Sequence, residues 1–317
     1  MLSRRNIRVK VLQTVYAQKQ DPEKTLERLE KSMLENVNAA PRDFLFNLYI
    51  LCKTADYVNV DLQLKAAKFI PSEEDKILSA SIFHNPVIQH LVVKEDLYRE
   101  IQKEKLDVRV DPDSFREFFQ KLRKTEEYMA YSRKENPLLT EDREIISFLY
   151  KNILLADELF QQIIEDIFPT WQDDREPIFY AMNNFIDTVP PNKDAFLVRQ
   201  TKDLKEVKQF GVDLFRKTIY NAAETEALIF PILENWDKDR VALLDMLLMK
   251  MALTELLYFP EIPVKVTMNE YIDLSKAYST PKSGEFINGI LDSILKKLQE
   301  ENKIQKTGRG LQESQLS

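Results

Sequence analysis

The sequence predicts an all-α protein: a helical bundle that carries a large additional helical region. Apolar residues recur at i, i+3, i+4 and i+7 along the chain, the period of a helix with one buried face. Strict apolar–polar alternation, the mark of a half-buried strand, is missing. Glycine is scarce: Gly211, Gly284, Gly289, Gly308 and Gly310 are the only five in 317 residues, too few for a fold built on tight turns.

The first predicted element is the segment MLSRRNIRVKVLQTVYAQ, with Ser3 as its cap. Ile7, Val11 and Val15 share one side with Leu12 and Tyr16. Arg4, Arg5 and Arg8 crowd the first turns, where each cation opposes the helix dipole by about 0.3–1 kcal/mol. Stability alone would favour Asp or Glu there, so the placement points to an anionic ligand such as RNA phosphate. Tyr16 could then stack on an unpaired base. The competing reading is a solvated basic terminus with Tyr16 in the core.

Breaks follow at Asp21-Pro22, Ala40-Pro41, Ile70-Pro71-Ser72 and Asn85-Pro86. Asp111-Pro112 is a cap followed by proline at the first helical position. Asn136-Pro137 closes a charged segment, Thr140 is placed to cap the next helix, and Pro190-Pro191 is the strongest linker signal. Further on, Val241, Leu244, Leu248, Met251 and Ala252 form one apolar face, and Glu255-Leu256 leads into a loop over 258–263. Thr267-Met268-Asn269-Glu270 has capping-box spacing, which predicts a helix from there to about Ala277. Thr280-Pro281 should open the last helix. Gly284 in its first turn leaves the backbone open to close approach, and Phe286 and Asn288 lie near its positive end. The expected organisation is a first bundle helix over 1–20, an extra helical region over 21–190, a C-terminal bundle over 191–299 and a disordered tail over 300–317. Trp171-Gln172-Asp173-Asp174-Arg175 is echoed by Trp236-Asp237-Lys238-Asp239-Arg240, and Tyr150-Lys151 by Phe215-Arg216 at the same offset. The extra region therefore reads either as a degenerate second copy or as an insertion.

Charge and chemistry narrow the function classes. A net charge of −7 argues against a chain coated in nucleic acid along its length, but permits a local basic site. The single cysteine, Cys52, lies in an apolar run and reads as a core residue; no internal disulfide is possible, which suits a reducing cytoplasm. Neither a signal peptide nor a run of roughly 20 apolar residues is present, so a cytoplasmic protein is expected. No glycine precedes Gly211, and no later pair fits a phosphate-binding loop. His84 and His90 are six apart, not at the i, i+4 spacing of a helical zinc motif, and no GxSxG elbow exists. Neither a catalytic centre nor a metal or cofactor is expected.

The C-terminal segment resembles the NusB family of bacterial transcription antitermination proteins. The residues that carry the resemblance are Ile262-Pro263-Val264-Lys265-Val266-Thr267-Met268-Asn269-Glu270, then Leu274-Ser275-Lys276, then Ser283-Gly284-Glu285-Phe286-Ile287-Asn288-Gly289-Ile290-Leu291-Asp292. Arg4-Arg5-Asn6-Ile7-Arg8 and Leu12-Gln13-Thr14-Val15-Tyr16 are similar to the family's first helix, and about 209 to 236 to its long helix. The resemblance implies a compact bundle of two helical subdomains. It implies binding of single-stranded boxA RNA in nascent ribosomal RNA transcripts, together with the ribosomal protein NusE, in a complex with RNA polymerase and other Nus factors. By the same resemblance Arg4, Arg5, Arg8, Tyr16, Lys250, Phe286 and Asn288 would contact RNA, and Asp245 and Lys282 would lie near the NusE surface. Two positions depart from the family pattern: Asn6 interrupts the basic run, and Glu285 stands where lysine is usual. An anion there weakens a phosphate grip, so the grip would be looser or supplemented from elsewhere. The competing function is a helical protein-binding scaffold that has lost RNA binding. An RNA-modifying enzyme with a bundle of this kind in front is not expected, because the chain stops at Ser317 without a glycine-rich cofactor fold.

Overall fold

The structure, a computed structural model, describes residues 2–67, 81–93, 95–189, 204–235 and 241–311. Among these residues every regular element is helical. Helix α1 (Arg4–Gln20) opens on a capping box: Asn6 N–H donates to the Ser3 hydroxyl and Ser3 N–H to the Asn6 side chain. Asn6, which interrupts the basic run, therefore has a structural task. Helix α2 (Leu26–Ala66) runs straight through Pro41, where a break was expected. Proline removes one helical hydrogen bond at a cost of about 3 kcal/mol, but Val37, Ala40 and Phe44 around it are almost fully buried, and that packing keeps the helix going.

Helix α3 (Pro86–Val92) starts at an Asn85 cap, after which come α4 (Glu95–Lys103) and α5 (Pro112–Arg123), whose cap is Asp111 as predicted. Thr125 caps α6 (Glu126–Ser132). Helix α7 (Leu139–Phe148) begins one residue before Thr140; the Glu141 carboxylate, not a threonine hydroxyl, accepts from the backbone at Leu138. It passes into a π-helical turn (Leu149–Leu154), then α8 (Glu158–Ile167) capped by Asp157, and α9 (Trp171–Thr188). The linker signal Pro190-Pro191 and the segment Trp236–Arg240 lie outside the described residues.

The single long helix expected over about 209–236 is instead three pieces: α10 (Leu204–Tyr220), α11 (Ala222–Ile229) and a short 3-10 turn (Ile232–Asn235). Asn221 interrupts the first join, its side chain donating to the Lys217 carbonyl at 2.8 Å, and Pro231 stops the second. Helix α12 (Leu243–Tyr258) follows, then α13 (Val264–Tyr278) and α14 (Ser283–Glu300). Helix α13 begins three residues before Thr267, so the capping-box reading fails there. Thr267 is buried and gives its hydroxyl to Glu255 at 2.8 Å instead. Residues 301–311, expected to be disordered, turn back: Thr307 N–H donates to the Pro260 carbonyl and Lys306 to that of Phe259.

The chain divides into two compact units. One comprises Leu2–Val37 with Asp203–Ser317; the other comprises Asn38–Lys202. In the first, α1 packs along α10 and also touches α12, while α12, α13 and α14 pack in succession. The approach of α1 to α10 depends on Gly211, where a Cβ would lie 2.8 Å from Ile7 Cγ2. The second unit has a core rich in aromatics, including Phe44, Phe46, Phe118, Phe119, Phe160 and Trp171, all nearly inaccessible. Cys52 belongs to that core as predicted, and burial pushes its thiol pKa up to about 11.

Candidate nucleic-acid interface

The candidate residues on α1 separate into two groups. Arg4 and Arg5 are exposed at the helix start. Arg4 lies over the Phe210 ring at 5.4 Å, and Arg5 reaches Asp273 of α13 at 3.3 Å. Arg8 is different: only 2% of its side chain is accessible, too little for a nucleic acid to reach. It makes a two-pronged bond to Glu255 of α12, Nε to Oε2 at 2.8 Å and Nη2 to Oε1 at 2.7 Å. A third contact, 3.4 Å to Glu270, is an ion pair without hydrogen-bond alignment. Phe210 and Tyr271 present their ring faces at 5.4 and 5.9 Å. Burial works against the guanidinium charge, yet the hydrogen bonds and charge of Glu255 outweigh it and the Arg8 pKa ends above its ordinary value. Glu255 also accepts from Thr267 and from Tyr271, whose own pKa is raised by burial and by that carboxylate. Arg8 is therefore the pin that joins α1 to α12 and α13, and its expected role as an RNA contact is corrected.

Two further candidates are also drawn inward. Lys250 is 12% exposed and pairs with Glu226 of α11, so its cation is already committed. Asp245 is buried and accepts from Ser279 at 2.6 Å and from Ser283 at 2.9 Å. It cannot meet a protein partner directly; it fixes the turn between α13 and α14, and with it the position at which α14 begins. A carboxylate against the first residue of α14 also suits the positive end of that helix.

The remaining candidates stay accessible. Tyr16 is exposed on α1; Lys282, at the cap position of α14, and Asn288 are exposed; Phe286 is half-buried. The starts of α1 and α14 are joined through α13 by a short ladder. Arg5 meets Asp273, Asp273 meets Lys276 at 3.4 Å, and the Lys276 stem lies where a Cβ on Gly284 would be 3.3 Å away. The start of α14 at Gly284 thus lies against the Lys276 stem of α13. Sequence reasoning missed Asp273 and Lys276 as site residues. The i, i+3 spacing of Glu270, Asp273 and Lys276 along α13 was visible in the sequence, but the contacts of Asp273 with Arg5 and of Lys276 with the start of α14 come from other helices and were not. Among the described residues, no group of three or more His, Cys, Asp and Glu could hold a metal ion, and no helix is long and apolar enough to cross a membrane.

Comparisons with known proteins bear on the same end of the chain. The model of the NusB family matches residues 179–296. The chain is 44% identical over 104 residues to the transcription antitermination protein NusB of Salinibacter ruber, covering 33% of this chain and 65% of the relative. It is 38% identical over 109 residues to the protein of the same name from Chloroherpeton thalassium, covering 34% and 51%. It is 37% identical over 130 residues to that of Desulfatibacillum aliphaticivorans, covering 41% and 82%. The chain thus spans between half and two thirds of the length of the first two relatives and most of the third. No solved structure matches.

Proposed function

We propose, from the premise that this chain belongs to the NusB family, that it is a transcription antitermination factor that binds single-stranded boxA-type RNA of nascent ribosomal RNA transcripts together with the ribosomal protein NusE. The observation that carries the reading is the ladder from Arg5 through Asp273 and Lys276 to Gly284. It brings together two helix starts and α13, with Arg4, Arg5, Lys276 and Lys282 as exposed cations and Phe286 and Asn288 on the first turns of α14. Arginine offers charge and planar stacking together, which suits an unpaired strand. Positive helix starts add a fixed attraction for phosphate. Arg8, Lys250 and Asp245 serve this surface by holding its helices in place rather than by touching RNA. Lys282 is the accessible candidate for the NusE side.

The test is fluorescence anisotropy of a boxA-like RNA with and without NusE. Phe286→Ala is expected to weaken binding by about five-fold or more, in the range of a lost stacked base, and to leave the salt dependence unchanged because no phosphate contact is removed. NusE is expected to tighten binding by the wild-type chain. If NusE and Phe286→Ala both leave RNA affinity unchanged, the reading fails. The scaffold reading, a protein that binds partners without RNA, then takes its place. It is favoured by the withdrawal of Arg8 and Lys250 into ion pairs. Asn6 does not add to it, because its side chain completes the capping box at Ser3.

A further inference from the structure

The unit formed by 38–202 carries a groove of about 570 Å³ on its surface. Its origin is local. The π-helical turn Leu149–Leu154 widens the chain between α7 and α8 and closes with Leu155 N–H on the Tyr150 carbonyl at 2.9 Å. That sets Lys151 and Leu155 on one wall, and the first two turns of α9 supply Gln172, Arg175, Glu176 and Phe179 on the other. Wide turns of this kind gather at functional sites more often than chance. The floor is apolar, Leu155 and the half-buried Phe179, while the rim is charged and exposed. Neither Lys151 nor Arg175 makes an ion pair among the described residues; Lys151 lies over the Phe179 ring at 5.7 Å, and the Arg175 charge acts on the buried Tyr150 hydroxyl. Both are thus exposed cations without a carboxylate partner, unlike Arg5, Lys134 and Arg216.

We infer that this groove is a second binding site for single-stranded RNA, in which a base stacks on Phe179 and the flanking phosphates take Lys151 and Arg175. Charge complementarity selects the ligand: two cations without carboxylate partners flank an aromatic face, the pairing that unpaired nucleotides use. A base that takes the ring displaces the Lys151 ammonium, which is then free to meet a phosphate. Tyr180, strongly exposed and edge-on to Phe179 at 5.9 Å, offers a second face for the next base. Glu176 opposes phosphate and limits the approach to the Lys151 and Arg175 sides. The site also answers the loss at Glu285, where an anion weakens the grip at α14. Naming RNA among polyanions rests on the proposed function, but the groove makes its own prediction.

The probe is a fluorescent oligouridylate of roughly 12 nucleotides, within the span of ordinary single-strand sites, titrated into the full chain alongside the boxA-like RNA. The proposal expects oligouridylate to bind. It expects Lys151→Ala/Arg175→Ala to weaken that binding about ten-fold, with the log–log salt slope shallower by about 1.4 for two lost cations on a single strand. Ultraviolet cross-links should map to Phe179 or Tyr180. All of these side chains are at the surface, and circular dichroism of the double variant checks that it folds. Absent oligouridylate binding, or binding unchanged in the double variant, overturns the second site while leaving boxA-like RNA free to bind through Arg4 and Arg5. Competition by uridine monophosphate at equal nucleotide concentration would assign the groove to free nucleotides and overturn the RNA assignment.

Discussion

At the scale of single residues, Arg8 shows how one motif can serve two purposes. The run Arg4-Arg5-Asn6-Ile7-Arg8 looks uniform as a string, and Arg4 and Arg8, one helical turn apart, both lie over Phe210, but only Arg8 is buried. Arg4 faces solvent; Arg8 enters a closed set of partners formed by Glu255, Glu270, Phe210 and Tyr271. Removing one member of a buried ion pair leaves the other charge stranded, at about 3–5 kcal/mol. Arg8→Ala is therefore expected to lower the unfolding free energy by about that amount in denaturant titrations, whereas Arg4→Ala should change it by less than about 0.5 kcal/mol. Equal effects of the two would show that Arg8 is not the pin described. A sequence alone could not separate these arginines, because the partner that buries Arg8 is 247 residues away. Asp245 and Lys250 were illegible for the same reason: their acceptors and donors come from other helices.

At the scale of elements, caps were legible where they used local chemistry and not where a distant group competed. Ser3 and Asp111 each bond to the backbone two or three residues on, a relation written in the sequence itself. Thr267 carried the same signature, yet a buried glutamate took its hydroxyl. Pro41 was misread because the burial that overrides a proline is tertiary. The two helical glycines give a paired test. At Gly211 an added Cβ meets the branched, buried Ile7 at 2.8 Å, and overpacking of about 1–3 kcal/mol should exceed the helix-propensity gain of about 1 kcal/mol, so Gly211→Ala destabilises. At Gly284 the neighbour is the flexible Lys276 stem at 3.3 Å, which can move aside, so Gly284→Ala should be neutral or stabilising by up to about 1 kcal/mol. Thermal unfolding of the two variants checks this. Adding Ile7→Val to Gly211→Ala should recover part of the loss; a Gly211→Ala protein as stable as the wild type would mean that α1 does not approach α10 as closely as described.

At the scale of the whole molecule, the family resemblance and the fold divide the chain in related ways. The matched stretch, 179–296, overlaps the unit that contains α10 to α14, while most of 38–202 lies outside it. The all-helical class was legible from period and glycine scarcity. The nature of the added unit was not, because helical periodicity recurs in any bundle, and the tryptophan echo that hinted at duplication has one half outside the described residues. A chain of net charge −7 can hold RNA only where its cations are gathered and accessible. The salt dependence of boxA-like RNA binding by the wild type and by Arg4→Ala/Arg5→Ala decides whether the start of α1 touches RNA. The double variant should bind more weakly, with a log–log slope shallower by about 1.4, the share of two phosphate contacts on a single strand, and with stability nearly unchanged. Wild-type affinity and slope in the double variant would contradict that contact.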